Sequence, residues 1–187
     1  MLKYLAAILL FVFPIIGQSG NGYKKVKIDK VVQFEVPLDF TELNERELRE
    51  KLAAARPPLA FYSDQLRNAD FIVNYVSTLW IDNDLSVLKE FQKSNLRQLF
   101  SEINFINESI RTINKQKVIY LEFIGLLAGD EESVVNTSGK RNYYQMAFAV
   151  INNKTLVFTF TCPIYLKDEY EKKASHIINS IKIKKTL

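Results

Sequence analysis

One cysteine, one histidine and one tryptophan are all this 187-residue chain contains of those types, and each scarcity removes a class of protein. A lone thiol, Cys162, closes no disulfide within the chain, so this is no disulfide-stapled scaffold and its stability must come from a packed core. A lone imidazole, His176, is too few for a typical zinc site. It is also the one base available to activate Cys162, and no motif supports a catalytic pair. The six glycines form neither a phosphate loop nor a glycine-flanked serine elbow. Charge of one sign is missing too: 25 Lys and Arg stand against 21 Asp and Glu, a balance that argues for neither a nucleic-acid partner nor an anionic membrane.

Long apolar runs are also absent. The longest, Leu5 to Ile16, is interrupted by Pro14 and falls short of the roughly 20 residues that a spanning helix needs. With Lys3 before it and the small residues Gly17 and Ser19 after it, residues 1–19 read as a cleavable export signal. No cysteine follows the run, so a lipid-anchor site is not expected. The expectation is an exported protein, periplasmic or secreted, with no stable membrane insertion after cleavage and with residues 20–187 forming a single domain.

What the chain does have is hydrophobic material. Such residues make up 48% of it, with thirteen Phe and nine Tyr, enough for a sizeable core. Helical spacing appears from about Glu42 to Ala55 behind Thr41, from near Asp84 through Leu85, Leu88, Phe91, Leu96 and Leu99, and from Lys167 to Ile181. Strands are expected over Tyr23–Ile28, Val31–Val36, Leu59–Tyr62, Phe71–Trp80, Phe105–Ile113 and Lys117–Leu127. Two more, Tyr143–Ile151 and Thr155–Cys162, are joined by a short polar turn and are apolar almost throughout, which suits a hairpin in the middle of a sheet. Lys24, Lys25 and Lys27 mark the first strand as an edge. The order implies an α+β chain: a mainly antiparallel sheet of six to eight strands flanked by helices.

That order, together with Phe34-Glu35-Val36-Pro37 before a helix, the strand Phe71-Ile72-Val73-Asn74-Tyr75-Val76 before a long helix, and a closing helix with the tail Ser180-Ile181-Lys182-Ile183, resembles the PsbP-like and Mog-like α/β/α sandwich superfamily. The likeness covers nearly all of the chain beyond the leader. It implies the sandwich fold and a non-catalytic binding or assembly module, and it specifies no partner.

Motifs for chemistry are few. Asp130-Glu131-Glu132 and Asp82-Asn83-Asp84 are acidic, but neither carries the glycine and closing glutamate of a calcium loop. They read as a solvated loop and a helix cap, so no metal and no cofactor are expected. His176 lies off the apolar face of its helix and reads as exposed. Asn-x-Ser/Thr triplets at Asn107, Asn136 and Asn153 are what an asparagine-rich chain yields by chance. The better lead is the polar stretch from Gly129 to Tyr144. There Arg141, Tyr143 and Tyr144 set aromatic residues beside a cation, as interface hot spots do, with one tyrosine on each side of the sheet. The expected function is therefore protein–protein binding in the cell envelope, without catalysis. The alternative is a carrier holding an apolar ligand between sheet and helices, in a cavity lined by Phe71, Phe91, Phe123 and Phe148.

Overall fold

A computed structural model gives the fold and describes residues 22–28, 31–52, 57–77, 84–127, 141–151 and 154–184. The expected leader, Trp80, Asp82-Asn83 and the acidic stretch at 130–132 lie outside the described residues.

Alternation of apolar and polar residues builds the first layer. β1 (Tyr23–Ile28) and β2 (Val32–Pro37) pair antiparallel, and β2 buries Val32, Phe34 and Val36 while Gln33 and Glu35 reach the rim. β3 (Thr41–Glu42) follows, then the short helix α1 (Glu45–Lys51). Asn44 caps α1: its side chain accepts from the Arg46 and Glu47 amides, and Glu47 closes the capping box. The helix thus begins later than expected, since asparagine, not Thr41, satisfies its first amides.

β4 (Ala60–Ser63), β5 (Asp70–Ser77), α2 (Leu85–Leu99) and β6 (Phe100–Ile113) come next. β7 (Gln116–Leu127), β8 (Asn142–Ile151), β9 (Lys154–Pro163), α3 (Lys167–Ser180) and β10 (Lys182–Ile183) complete the described chain. The β6–β7 turn rests on Asn114 and Lys115, both in the left-handed region (φ 46° and 72°), the conformation that matches strand twist in a two-residue hairpin. The Asn114 amide also donates to the Asn179 and Ile181 carbonyls and so ties this turn to the end of α3.

Strand order in the larger sheet is β3-β4-β5-β9-β8-β7-β6, seven strands, all antiparallel. A second sheet has three strands in the order β1-β2-β10. The expected sheet is therefore accompanied by a separate small one. Its third strand, β10, is only two residues long and pairs with β2.

The main sheet separates two cores. On one face, α3 packs on β8, β9 and β2, and Phe34 meets Tyr62 and Phe71 edge-on, closing a core that includes Val73, Phe158, Phe160, Ile177 and Ile178. On the other, α2 packs on β6 and β7 over Leu88, Phe100, Ile119, Leu121, Phe123, Tyr144 and Phe148. β8 and β9 sit inside the sheet, as their apolar composition indicates.

This division bears on the carrier alternative. Phe71 belongs to the first core and Phe123 and Phe148 to the second, while Phe91 is 47% exposed. Those four rings do not line one cavity.

Candidate functional site

The three residues singled out in the sequence take three different positions. Tyr143 is fully buried on the α3 face, and Tyr144 is buried on the α2 face, stacked on Phe123 with centroids 4.8 Å apart. The strict alternation of a strand separates them, as expected. Neither ring lies on the surface. Arg141 does, just before β8, and its guanidinium pairs with Glu102 at the start of β6. Residues 128–140, the rest of the expected binding loop, lie outside the described residues.

Beneath α3 sits a polar cluster that sequence reasoning missed. Glu122 is buried in the apolar run of β7, where its Oε1 accepts a 2.7 Å hydrogen bond from the Tyr143 hydroxyl and its Oε2 a 3.1 Å bond from that of Tyr120. Gln145 donates to the Tyr143 oxygen at 2.7 Å and to Ser175 Oγ and the Glu171 carbonyl on α3. Lys167 bonds Glu171 at 2.7 Å and lies 5.2 Å over the Tyr143 ring, and the Arg111 guanidinium lies 3.3 Å over that of Tyr120. Burial first, with the neighbouring Glu122 charge adding to it, pushes both phenols well above their ordinary range. Phenols so poised hold their protons and act as donors. The arrangement orders the sheet beneath α3, since every polar group in it has a partner. The signal for it was present: a single carboxylate within Val118–Leu127, with a tyrosine two residues earlier on the same strand face.

Other candidates resolve as structure. Cys162 is buried, and its thiol is pushed up to about 12 by burial and then by Glu169 and Asp64, so it is a poor nucleophile. His176 is half-exposed but not idle: its ring stacks on Tyr23 at 3.7 Å and its Nε2 lies 3.0 Å from Glu35. It pins the small sheet to α3. Asp84 precedes α2 without capping it. Among the described residues, no three acidic, histidine or cysteine side chains gather as metal ligands. No described helix is long and apolar enough to cross a membrane.

Among the exposed apolar residues, two stand where the chain leaves and re-enters the sheet. Leu127 ends β7 at 42% exposure, and its strand partner Phe100 directly follows Leu99, itself 58% exposed. The Arg141–Glu102 pair stands at the same end but on the other face of the sheet, since Glu102 is opposite Leu126 whereas Leu127 is opposite Phe100.

No protein-family model and no curated protein matches the sequence. Solved structures are similar in fold. The PsbP protein of Synechocystis sp. PCC 6803 gives a TM-score of 0.58 at 13% identity over 90% of this chain and 96% of its own. The Ran-binding protein Mog1p of Saccharomyces cerevisiae gives 0.57 at 10% identity, over 86% and 95%. LpqN of Mycobacterium tuberculosis, involved in cell envelope biogenesis, gives 0.55 at 16% identity, over 87% and 92%. The architecture is an α/β/α sandwich with an added small sheet. More closely, it is the PsbP/Mog-like fold.

Proposed function

We propose that this chain is an exported, non-catalytic binding or assembly module that works through protein–protein contacts in the cell envelope. The observation that carries this reading is the end of the sheet where β7 stops: Leu99 and Leu127 are exposed there, and the exposed Arg141–Glu102 pair stands on the opposite face at the same end. Exposed leucines and an arginine at one edge of a fold are residue types that protein interfaces use. Similar folds in a Ran-binding protein and in a protein of envelope biogenesis agree with a binding role. Within this reading Arg141 is the anchor and Tyr143 and Tyr144 are the buried supports that fix the start of β8.

Crosslinking of the protein in its native host, followed by identification of the bound species, tests the proposal. Leu127→Asp, Arg141→Glu and deletion of Asp130–Gly139 are each expected to lower recovery of one envelope partner at least tenfold, with folding unchanged by circular dichroism. Undiminished recovery in all three would overturn the site. Mass spectrometry of the envelope-localised protein is expected to show a chain beginning near Gly20, and an intact Met1 start would overturn the cleaved leader.

A further inference from the structure

The two sheets have four edges, and three of them are blunted. β3 and β10 are two residues long, and β1 carries Lys24, Lys25 and Lys27. Short strands and edge lysines both discourage pairing with another molecule. The fourth edge, β6, is 14 residues long, contains no lysine or proline, and has no strand on its outer side among the described residues. Ile106 and Ile110 are exposed along it.

Its bulge sets which residues share a face. Before the register shift between Phe105 and Asn107, Ile103 and Phe105 face the α2 side, opposite Gly125 and Phe123. After it, Glu108 and Ile110 do, opposite Leu121 and Ile119, and Glu108 meets Lys93 of α2 at 2.5 Å. The α3 side takes Glu102 and Asn104 before the shift and Asn107, Ser109 and Arg111 after it. An extra residue in the middle of a strand exchanges odd and even positions between its two halves.

We infer that β6 pairs antiparallel with β6 of a second copy of this chain, making one continuous sheet across a two-fold axis near the bulge. In this register Glu102 lies opposite Arg111 of the second copy, Ile103 opposite Ile110, Asn104 opposite Ser109 and Phe105 opposite Glu108. Each pair shares a face only because of the bulge; without it, the odd-numbered offset would put every partner on the wrong side. Two-fold symmetry repeats every pair, so the contact contains opposite charges twice and isoleucine pairs twice. Arg111 suits this role, since it lies over the Tyr120 ring and has no ion-pair partner among the described residues. The pairing shares Glu102 with the Arg141 pair at the end of β7 but does not need that end to bind an envelope protein, and Arg111→Glu leaves Arg141 and the leucines there untouched.

Light scattering on the purified protein across a concentration series tests it. A mass of two chains is expected, with Arg111→Glu weakening the dimer at least tenfold by setting a second carboxylate against that of Glu102. The exchange variant Glu102→Arg with Arg111→Glu is expected to restore it, a rescue that a merely misfolded strand would not give. A monomer at every concentration would overturn the inference. So would a dimer indifferent to Arg111→Glu, or a photocrosslinker at position 106 that captures a different protein in the envelope in place of a second copy.

Discussion

The Tyr143 hydroxyl donates 2.7 Å to Oε1 of Glu122, so a buried carboxylate is held by a phenol on the neighbouring strand rather than by a cation. The same oxygen of Tyr143 receives Gln145 at 2.7 Å, which links β7 and β8 to the Ser175 hydroxyl on α3. Removing that one oxygen takes from Oε1 of Glu122 its donor in the interior, while the Gln145 amide keeps Ser175 and the Glu171 carbonyl. Tyr143→Phe is therefore expected to cost about 1–3 kcal/mol in urea denaturation. Tyr165→Phe, at 77% exposure, is the control and should stay within about 0.5 kcal/mol. Equal midpoints for the two variants would refute the structural role of the cluster.

Alkaline pH should find the same phenols. Burial, then the neighbouring carboxylates, raises Tyr120, Tyr143 and Tyr170 well above the ordinary value of 10, and Tyr62 to about 12 beside Glu42. A group whose folded pKa is raised stabilises the fold fully below its unfolded pKa. That stability is lost as pH climbs toward the folded value, because the unfolded chain ionises first. Stability is thus expected to be flat in this contribution up to about pH 10 and to fall from there upward. Phenolate absorbance is expected to rise in two stages, with these four tyrosines ionising last or only on unfolding. A single titration of all tyrosines near pH 10 in the folded protein would contradict the burial described.

Gly125 has a packing reason. A Cβ built there lies 2.6 Å from Cδ1 of the Phe100 ring, which belongs to the core under α2. That ring is boxed edge-on by Phe123 and Tyr144 and has little room to turn. Gly125→Ala is expected to destabilise by about 1–3 kcal/mol through overpacking. Adding Phe100→Leu should recover part of the loss, and a fully additive double variant would show that the two positions do not touch.

Much of this was legible in the sequence, and what was hidden was hidden for physical reasons. The continuous apolar β8 and β9 announced a central hairpin, and the lysines of β1 announced an edge. β6 was expected from Phe105, yet it begins at Phe100. Ser101, Glu102 and Asn104 are weak strand formers, and the strand there is supplied by its ladder with β7, a partner beyond any local window. His176 sits off the apolar stripe of α3, so nothing local indicated that Tyr23, from the other sheet, stacks on it. Tyr143 and Tyr144 alternate across the sheet as strand neighbours must, but no local window shows that Glu122 and Phe123 of β7 take up the hydroxyl of one and the ring of the other.

The turn after β4 gives the sharpest stability test. Asp64 is buried, and its Oδ1 accepts from the Asn68 and Ala69 amides at 2.7 and 2.8 Å. Its Oδ2 accepts from the Leu66 amide at 3.3 Å and from the Tyr170 hydroxyl at 3.1 Å, so a single carboxylate organises the turn and fastens α3 to it. Arg67 within that turn has a φ of 59°, a conformation that non-glycine residues adopt only when their surroundings hold them. Asp64→Ala strands all four donors, the Ala69 amide and the Tyr170 hydroxyl among them in the interior, and is expected to cost about 2–4 kcal/mol. Asp64→Asn keeps one acceptor oxygen for the two amides and should lose roughly half as much. Hydrogen exchange separates the effects: the Ala69 amide should exchange faster in Asp64→Ala than in Asp64→Asn. Unchanged protection of Ala69 in Asp64→Ala would mean that the turn is held by the Arg67 bonds to Glu47 and Thr41 instead.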